Sequence, residues 1–235
     1  MEELIQKVMA DINYEENPYF KALQDKTFEF DDFLETQIQF YFAVVFFSRP
    51  MAALAAKVPN SKQRIEIVRN VWEEHGEGEN AKLHGDTFLE LLKRLGVKED
   101  EEILKRALWP EVRQFNTTLV GACLVDEYTI GVGVMGIIEL MFSRISAWVG
   151  QGIVHNGWLT NENMIHYNLH EELDIKHSQD FFDVIAPKWE DPEERYYIEQ
   201  GLRLGAHTFN GLYEGLYAAR KRRDNRATRG LHSRA

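Results

Sequence analysis

Residues 128–142 read YTIGVGVMGIIELMF, an apolar, glycine-rich run interrupted by a single acid, Glu139. A bilayer crossing takes about 20 apolar residues, and Asp126, Glu127 and Arg144 bound this run closely. No uninterrupted apolar stretch of the chain is expected to reach spanning length, and this one is expected as a helix buried inside a folded protein. A helix that is apolar all round must be covered by other elements. An ionised carboxylate within it costs several kcal/mol unless it is paired or bound to a cation. Glu139 therefore needs a partner.

The covering elements are helical too. Alternating strand patterns with hairpin dipeptides are nearly absent, and HNGW at 155–158 reads as a link between two helices. One helix is expected from Asp31 or Asp32 to VPNS at 58–61, bent at Pro50. The next is capped by Ser61, runs through the interruption at Gly76 and Gly78, and ends at Gly96 with a left-handed turn. A short acidic helix near 99–107, a long buried helix over 117–149 and a helix capped by Thr160 follow. The last helix has Asp191 as N-cap, Pro192 at its first position and two acids in its first turn. The expected fold class is all-α, with residues 1–219 as a single domain.

Charge divides the chain differently. The net charge is −11, yet residues 220–235, RKRRDNRATRGLHSRA, carry seven bases and one acid, which leaves 20 bases against 37 acids in 1–219. So acidic a body argues against general nucleic-acid binding, and the tail is expected to be a separate, solvated, disordered end. Cys123 is the single cysteine, so no disulfide framework exists. The N-terminus, MEELIQKVMADI, is acidic and amphipathic and lacks the basic end and apolar run of a secretory signal. A cytoplasmic protein is expected, with no membrane or nucleic-acid partner and with homodimerisation left open.

Three segments carry metal-ligand residue types: Glu74, Glu77 and His84; Glu139; and His170, Asp174 and His177 in HEELDIKH. At 3.6 residues per turn, steps of four and seven place the last three within an arc of about 60°. Carboxylates and imidazoles on three buried helices match the carboxylate-bridged dimetal sites built inside helix bundles. Glu77 precedes His84 by seven residues and would share its face, whereas Glu74 would point about 80° away on an ideal helix. The two glycines permit a distorted turn that brings Glu74 round, so either remains a candidate. Around Glu139, the neighbours Met135, Gly136, Phe142 and Ser143 are pocket candidates. Gly131, Gly133 and Gly136 serve equally well to widen a pocket or to let another helix approach. Phe40, Tyr41 and Trp72 lie on the first two long helices without an assigned role.

HEELDIKH with Glu139 about thirty residues upstream, together with NVWEEHGEGENAKLHGDTFLELLKRLGV, resembles the haem-oxygenase-like dimetal oxidase family over roughly residues 15–220. The family pattern Glu, then His-x3-Asp-x2-His, is filled by Glu139, His170, Asp174 and His177. The likeness of NVWEE to the family's first ligand segment favours Glu74, with Glu77 as a further or alternative ligand. The resemblance implies a haem-oxygenase-like helical bundle holding two Fe(II), or manganese, and using dioxygen to oxidise a small molecule such as an amino acid or fatty acid derivative. In the branch that makes 4-aminobenzoate, a lysine lies about ten residues beyond the second-helix Glu; Val149 stands there in this chain. Two other functions compete. A helical protein-interaction module has no reason to turn seven ligand-type residues inward, and a cofactorless or hydrolytic relative akin to pyrroloquinoline-quinone synthase or thiaminase II would, in the latter case, call on a nucleophilic cysteine.

Overall fold

The computed structural model describes residues 1–79, 82–98 and 103–225, and their side chains except 165, 166, 168–174 and 223–225. Among the described residues every regular element is helical: α1 (Glu2–Ile12), α2 (Pro18–Gln24), α3 (Phe30–Lys57), α4 (Ser61–Glu74), α5 (His84–Arg94), α6 (Pro110–Val120), α7 (Tyr128–His155), α8 (Ile165–Ile185) and α9 (Pro192–Ala219). The all-α expectation holds.

The axis of the bundle is α7. From Gly131 to Glu139 it is buried on every face, because α8 and α9 pack along it on two sides. Glycines make this approach possible. A Cβ on Gly201 of α9 would sit 2.3 Å from the Ile130 carbonyl oxygen of α7, and one on Gly136 would meet the Phe181 and Phe182 side chains of α8 at 3.0 and 2.8 Å. Of the two readings open for the Gly131, Gly133 and Gly136 series, close helix packing is the one realised.

Both α3 and α7 are long and apolar enough to cross a membrane by length and composition, although charged residues interrupt each of them. Half of the most apolar window of α3 and 72% of that of α7 lie buried against protein.

Local boundaries follow capping chemistry. Asp191 accepts from the backbone N–H groups of Glu193 and Glu194, with Pro192 at the first helical position, as expected. α4 is capped by Asn60, whose Oδ1 accepts from Lys62 N at 2.9 Å; Ser61 is its first residue rather than its cap. Thr160 precedes a short 3-10 turn, Asn161–Asn163, and α8 starts only at Ile165. The long helix expected over 117–149 is two: α6 widens into a π turn at Gly121–Val125, and the chain leaves helical geometry at Asp126 before α7 begins. The short acidic helix expected near 99–107 lies in part outside the described residues.

The break that matters most divides the helix expected over 61–95. After Glu74 the chain turns through Gly76, Glu77 and Gly78, all with positive φ (62°, 54° and 85°). A Cβ on Gly76 would lie 2.6 Å from the Lys82 carbonyl carbon, so only glycine fits where the returning chain crosses. Gly96 ends α5 with φ 106°, as expected.

At the far end, the first tail residues dock on the body. Lys221 Nζ lies 2.5 Å from Asp32 Oδ2, and Arg222 binds Glu111 through both guanidinium nitrogens at 2.6 and 2.9 Å. Residues 226–235 of the tail lie outside the described residues.

Candidate metal centre

Two carboxylates and an imidazole meet at the middle of α7. Ligand atoms of Glu74, Glu139 and His177 all lie within 4.8 Å of one another, and all three residues are buried. Each arrives by a different local device. Glu139 is carried by the all-apolar core of α7. His177 lies on the inner face of α8, fully buried. Glu74 is the last residue of α4, delivered by the left-handed turn that follows it.

His84, the first residue of α5, joins beside Glu74: its Nδ1 lies 2.8 Å from Glu74 Oε1, with both side chains 7% exposed. The helix-phase argument that paired Glu77 with His84 does not apply, because the two sit on different elements. Glu77 is exposed on the turn and takes no part in the buried group. His170 and Asp174 lie on α8 with His177, but their side chains are outside those described.

One acidic neighbour was not anticipated. Glu73 Oε2 accepts from His177 Nε2 at 2.6 Å, and its other oxygen accepts from Lys176 Nζ at 3.1 Å. Burial pushes the Glu73 carboxyl up, but the hydrogen bonds and charges of His177 and Lys176 together outweigh it and hold the group below the usual carboxylate range. Sequence reading passed over Glu73 because it stands beside Glu74 in NVWEE and nothing local distinguishes their directions.

The donor set suits a hard or borderline cation. Carboxylate oxygens neutralise positive charge and neutral imidazole nitrogens complete the ligation, a combination that favours iron or manganese over soft thiolate-bound metals. Two carboxylates and an imidazole crowded together in an apolar interior are costly without such a cation. Glu74, Glu139 and His177 lie close enough together to hold one ion.

Beside the group lies a narrow cavity of about 40 Å³, lined by Glu74, His84 and Glu139 and otherwise by Phe40, Ala43, Val44, Phe47, Phe115, Ile138, Phe142 and Phe209. A water-sized molecule needs about 10–15 Å³ by this measure, so the space holds a few small molecules or a slim hydrocarbon segment. Phe142 is confirmed as a lining residue, and Phe40, which had no assigned role, lines the cavity as well. Met135, Gly136 and Ser143 are not among them, and Ser143 Oγ instead donates back to the Leu140 carbonyl at 2.9 Å. Tyr41 is buried beside Phe42 and Phe88. Trp72 is 54% exposed and its ring covers Gly78. The walls contributed by α3, α6 and α9 were missed, since no local pattern says which apolar residues of separate helices converge.

Cys123 does not belong to this site. It is fully buried in the π turn, and burial pushes its thiol up to about 12. A thiol so placed is a poor nucleophile.

Comparison with known proteins places these features in a family context. A family described as iron-containing redox enzymes matches residues 34–223. A 4-aminobenzoate synthase from Chlamydia pneumoniae is 20% identical over 178 residues, which span 76% of this chain and 78% of that protein. Among solved structures, a domain of unknown function with a heme oxygenase-like fold from Shewanella denitrificans superimposes with a TM-score of 0.80 at 14% identity, covering 94% of each chain. A TenA homologue from P. horikoshii OT3 superimposes with a TM-score of 0.68 at 11% identity, covering 92% of this chain and 94% of that one.

Proposed function

Because the chain belongs to the family of iron-containing redox enzymes with a haem-oxygenase-like fold, we propose that it is a non-haem dimetal oxidase. Its metals are two Fe(II), with manganese the alternative, and dioxygen is its co-substrate. The observation that carries this reading is the buried meeting of Glu74, Glu139 and His177 beside an apolar cavity.

Bound there, Fe(II) would supply electrons to dioxygen and so make a strong oxidant next to the cavity. The chain's own residues do the rest. Glu139, midway along the most buried helix, would hold metal from the centre of the set. Glu74 and His177 approach the same position from α4 and α8, and His84 stands beside the Glu74 carboxylate, its Nδ1 2.8 Å from Oε1. His170 and Asp174, on the helix of His177, complete the set by their place in the family pattern.

The cavity walls select what meets the metals. Phe40, Phe142 and Phe209 pack with ring centroids 5.8 to 6.5 Å apart, which excludes water and favours an apolar reacting group. Such walls suit the hydrocarbon portion of an amino acid or fatty acid derivative, with its polar end outside them. Val149, where a 4-aminobenzoate-forming relative has a lysine, is fully buried on α7, and this disfavours carrying over that particular activity.

Anaerobic Fe(II) titration followed by oxygen exposure tests the proposal, with metal counted by elemental analysis and oxygen uptake followed with candidate amino and fatty acids. The expected result is close to two Fe(II) per chain and metal-dependent uptake. No metal above background would overturn it.

A further inference from the structure

Glu73 and Glu74 are adjacent, so their side chains leave α4 about 100° apart. Glu74 turns toward Glu139 and His84, while Glu73 reaches His177 on α8, its Oε2 standing 2.6 Å from Nε2. The second Glu73 oxygen is held by Lys176 at 3.1 Å, so this carboxylate is itself fixed in direction. A carboxylate oxygen can only accept here, so Nε2 carries the proton. In a neutral imidazole the lone pair then resides on Nδ1, which is buried.

We propose that Glu73 is a positioning residue of the metal centre: it locks His177 in the tautomer that has Nδ1 as its metal-binding atom, with Lys176 holding Glu73 in place. A histidine ligand whose other nitrogen donates to a carboxylate is oriented and made more basic, and loss of such a partner costs about 10–100-fold in metal affinity. The inference rests on the metal-centre reading above and adds to it a residue outside the seven expected ligands.

The test uses the full chain as wild type, Glu73→Gln and Glu73→Ala. Long-range ¹H–¹⁵N NMR of the metal-free protein at pH 8 reports which His177 nitrogen carries the proton. Co(II) titration followed by visible d–d absorption reports affinity and ligand field. The wild type should show the proton on Nε2. Glu73→Ala should bind one Co(II) about 10–100-fold more weakly with displaced bands. Glu73→Gln, whose amide oxygen still accepts from Nε2, should recover most of the affinity and the wild-type bands. The melting temperature of the metal-free protein should be unchanged by Glu73→Gln.

A proton on Nδ1 in the wild type, or unchanged affinity and bands in Glu73→Ala, would overturn the proposal. So would equal loss of a metal in both variants, which would make Glu73 a direct ligand. Wild type that binds no Co(II) or Fe(II) defeats the metal-centre reading instead, and the tautomer then reports alone on whether Glu73 controls the ring.

Discussion

His84 Nδ1 lies 2.8 Å from Glu74 Oε1, and this contact joins the first residue of one helix to the last residue of the one before it. The two are ten positions apart in sequence, and on a continuous helix they would diverge. They meet because three consecutive positive-φ residues reverse the chain between them.

Gly76→Ala should therefore damage the site from outside it. A non-glycine residue at φ 62° costs about 1–2 kcal/mol, and the added Cβ would press on the Lys82 backbone at 2.6 Å. The expected outcome is a lower melting temperature together with weaker Fe(II) binding, measured by calorimetry and elemental analysis. Wild-type Fe(II) affinity in the variant would show that the turn does not deliver Glu74.

Glu139→Ala should abolish Fe(II)-dependent oxygen uptake. Its metal-free form should be at least as stable as metal-free wild type, since a buried carboxylate that costs several kcal/mol without its cation has been removed. Melting both chelated proteins checks this, and strong destabilisation of the variant would mean that Glu139 serves a structural partner.

Gln37→Ala tests the polar core away from the metals. Gln37 is fully buried, donates to the Tyr19 hydroxyl and accepts from the Tyr167 hydroxyl, both at 2.6 Å. Its removal strips a partner from each of two buried phenols, at about 1–3 kcal/mol for each group left unsatisfied. Denaturant unfolding should show that loss.

Gly201→Ala should force α7 and α9 apart, because its Cβ would lie 2.3 Å from the Ile130 carbonyl oxygen. Overpacking of this kind costs about 1–3 kcal/mol, or about 2–4 °C in melting temperature per kcal/mol for a chain of this size. A melting curve like that of wild type would argue against the tight crossing.

Chelation should leave the protein helical. The body buries a core that spans α1 to α9, unlike small zinc domains that need the ion to fold, so metal adds only its binding free energy to the native state. Circular dichroism after chelation should retain the helical signal, and a coil spectrum would refute this.

Much of this protein can be read along the chain, where the physics is local. Asp191 with Pro192 announces α9, Gly96 ends α5, and HNGW separates α7 from α8, because capping and φ preference act within a few residues. The need of Glu139 for a partner is equally plain, since burial of its apolar neighbours implies its own. The grouping of His170, Asp174 and His177 on one helix is simple periodicity.

The tertiary structure decided what depends on direction between elements. It brought Glu74 rather than Glu77 to Glu139 and His177 by breaking the helix at Gly76, a break that glycine permits but does not require. It turned Glu73 onto His177, assigned the glycines of α7 to helix contact, and brought Phe115 and Phe209 to the cavity from α6 and α9. Sequence periodicity specifies which face of a helix turns inward; which residues then meet is set by how separate helices cross, and no single helix encodes that.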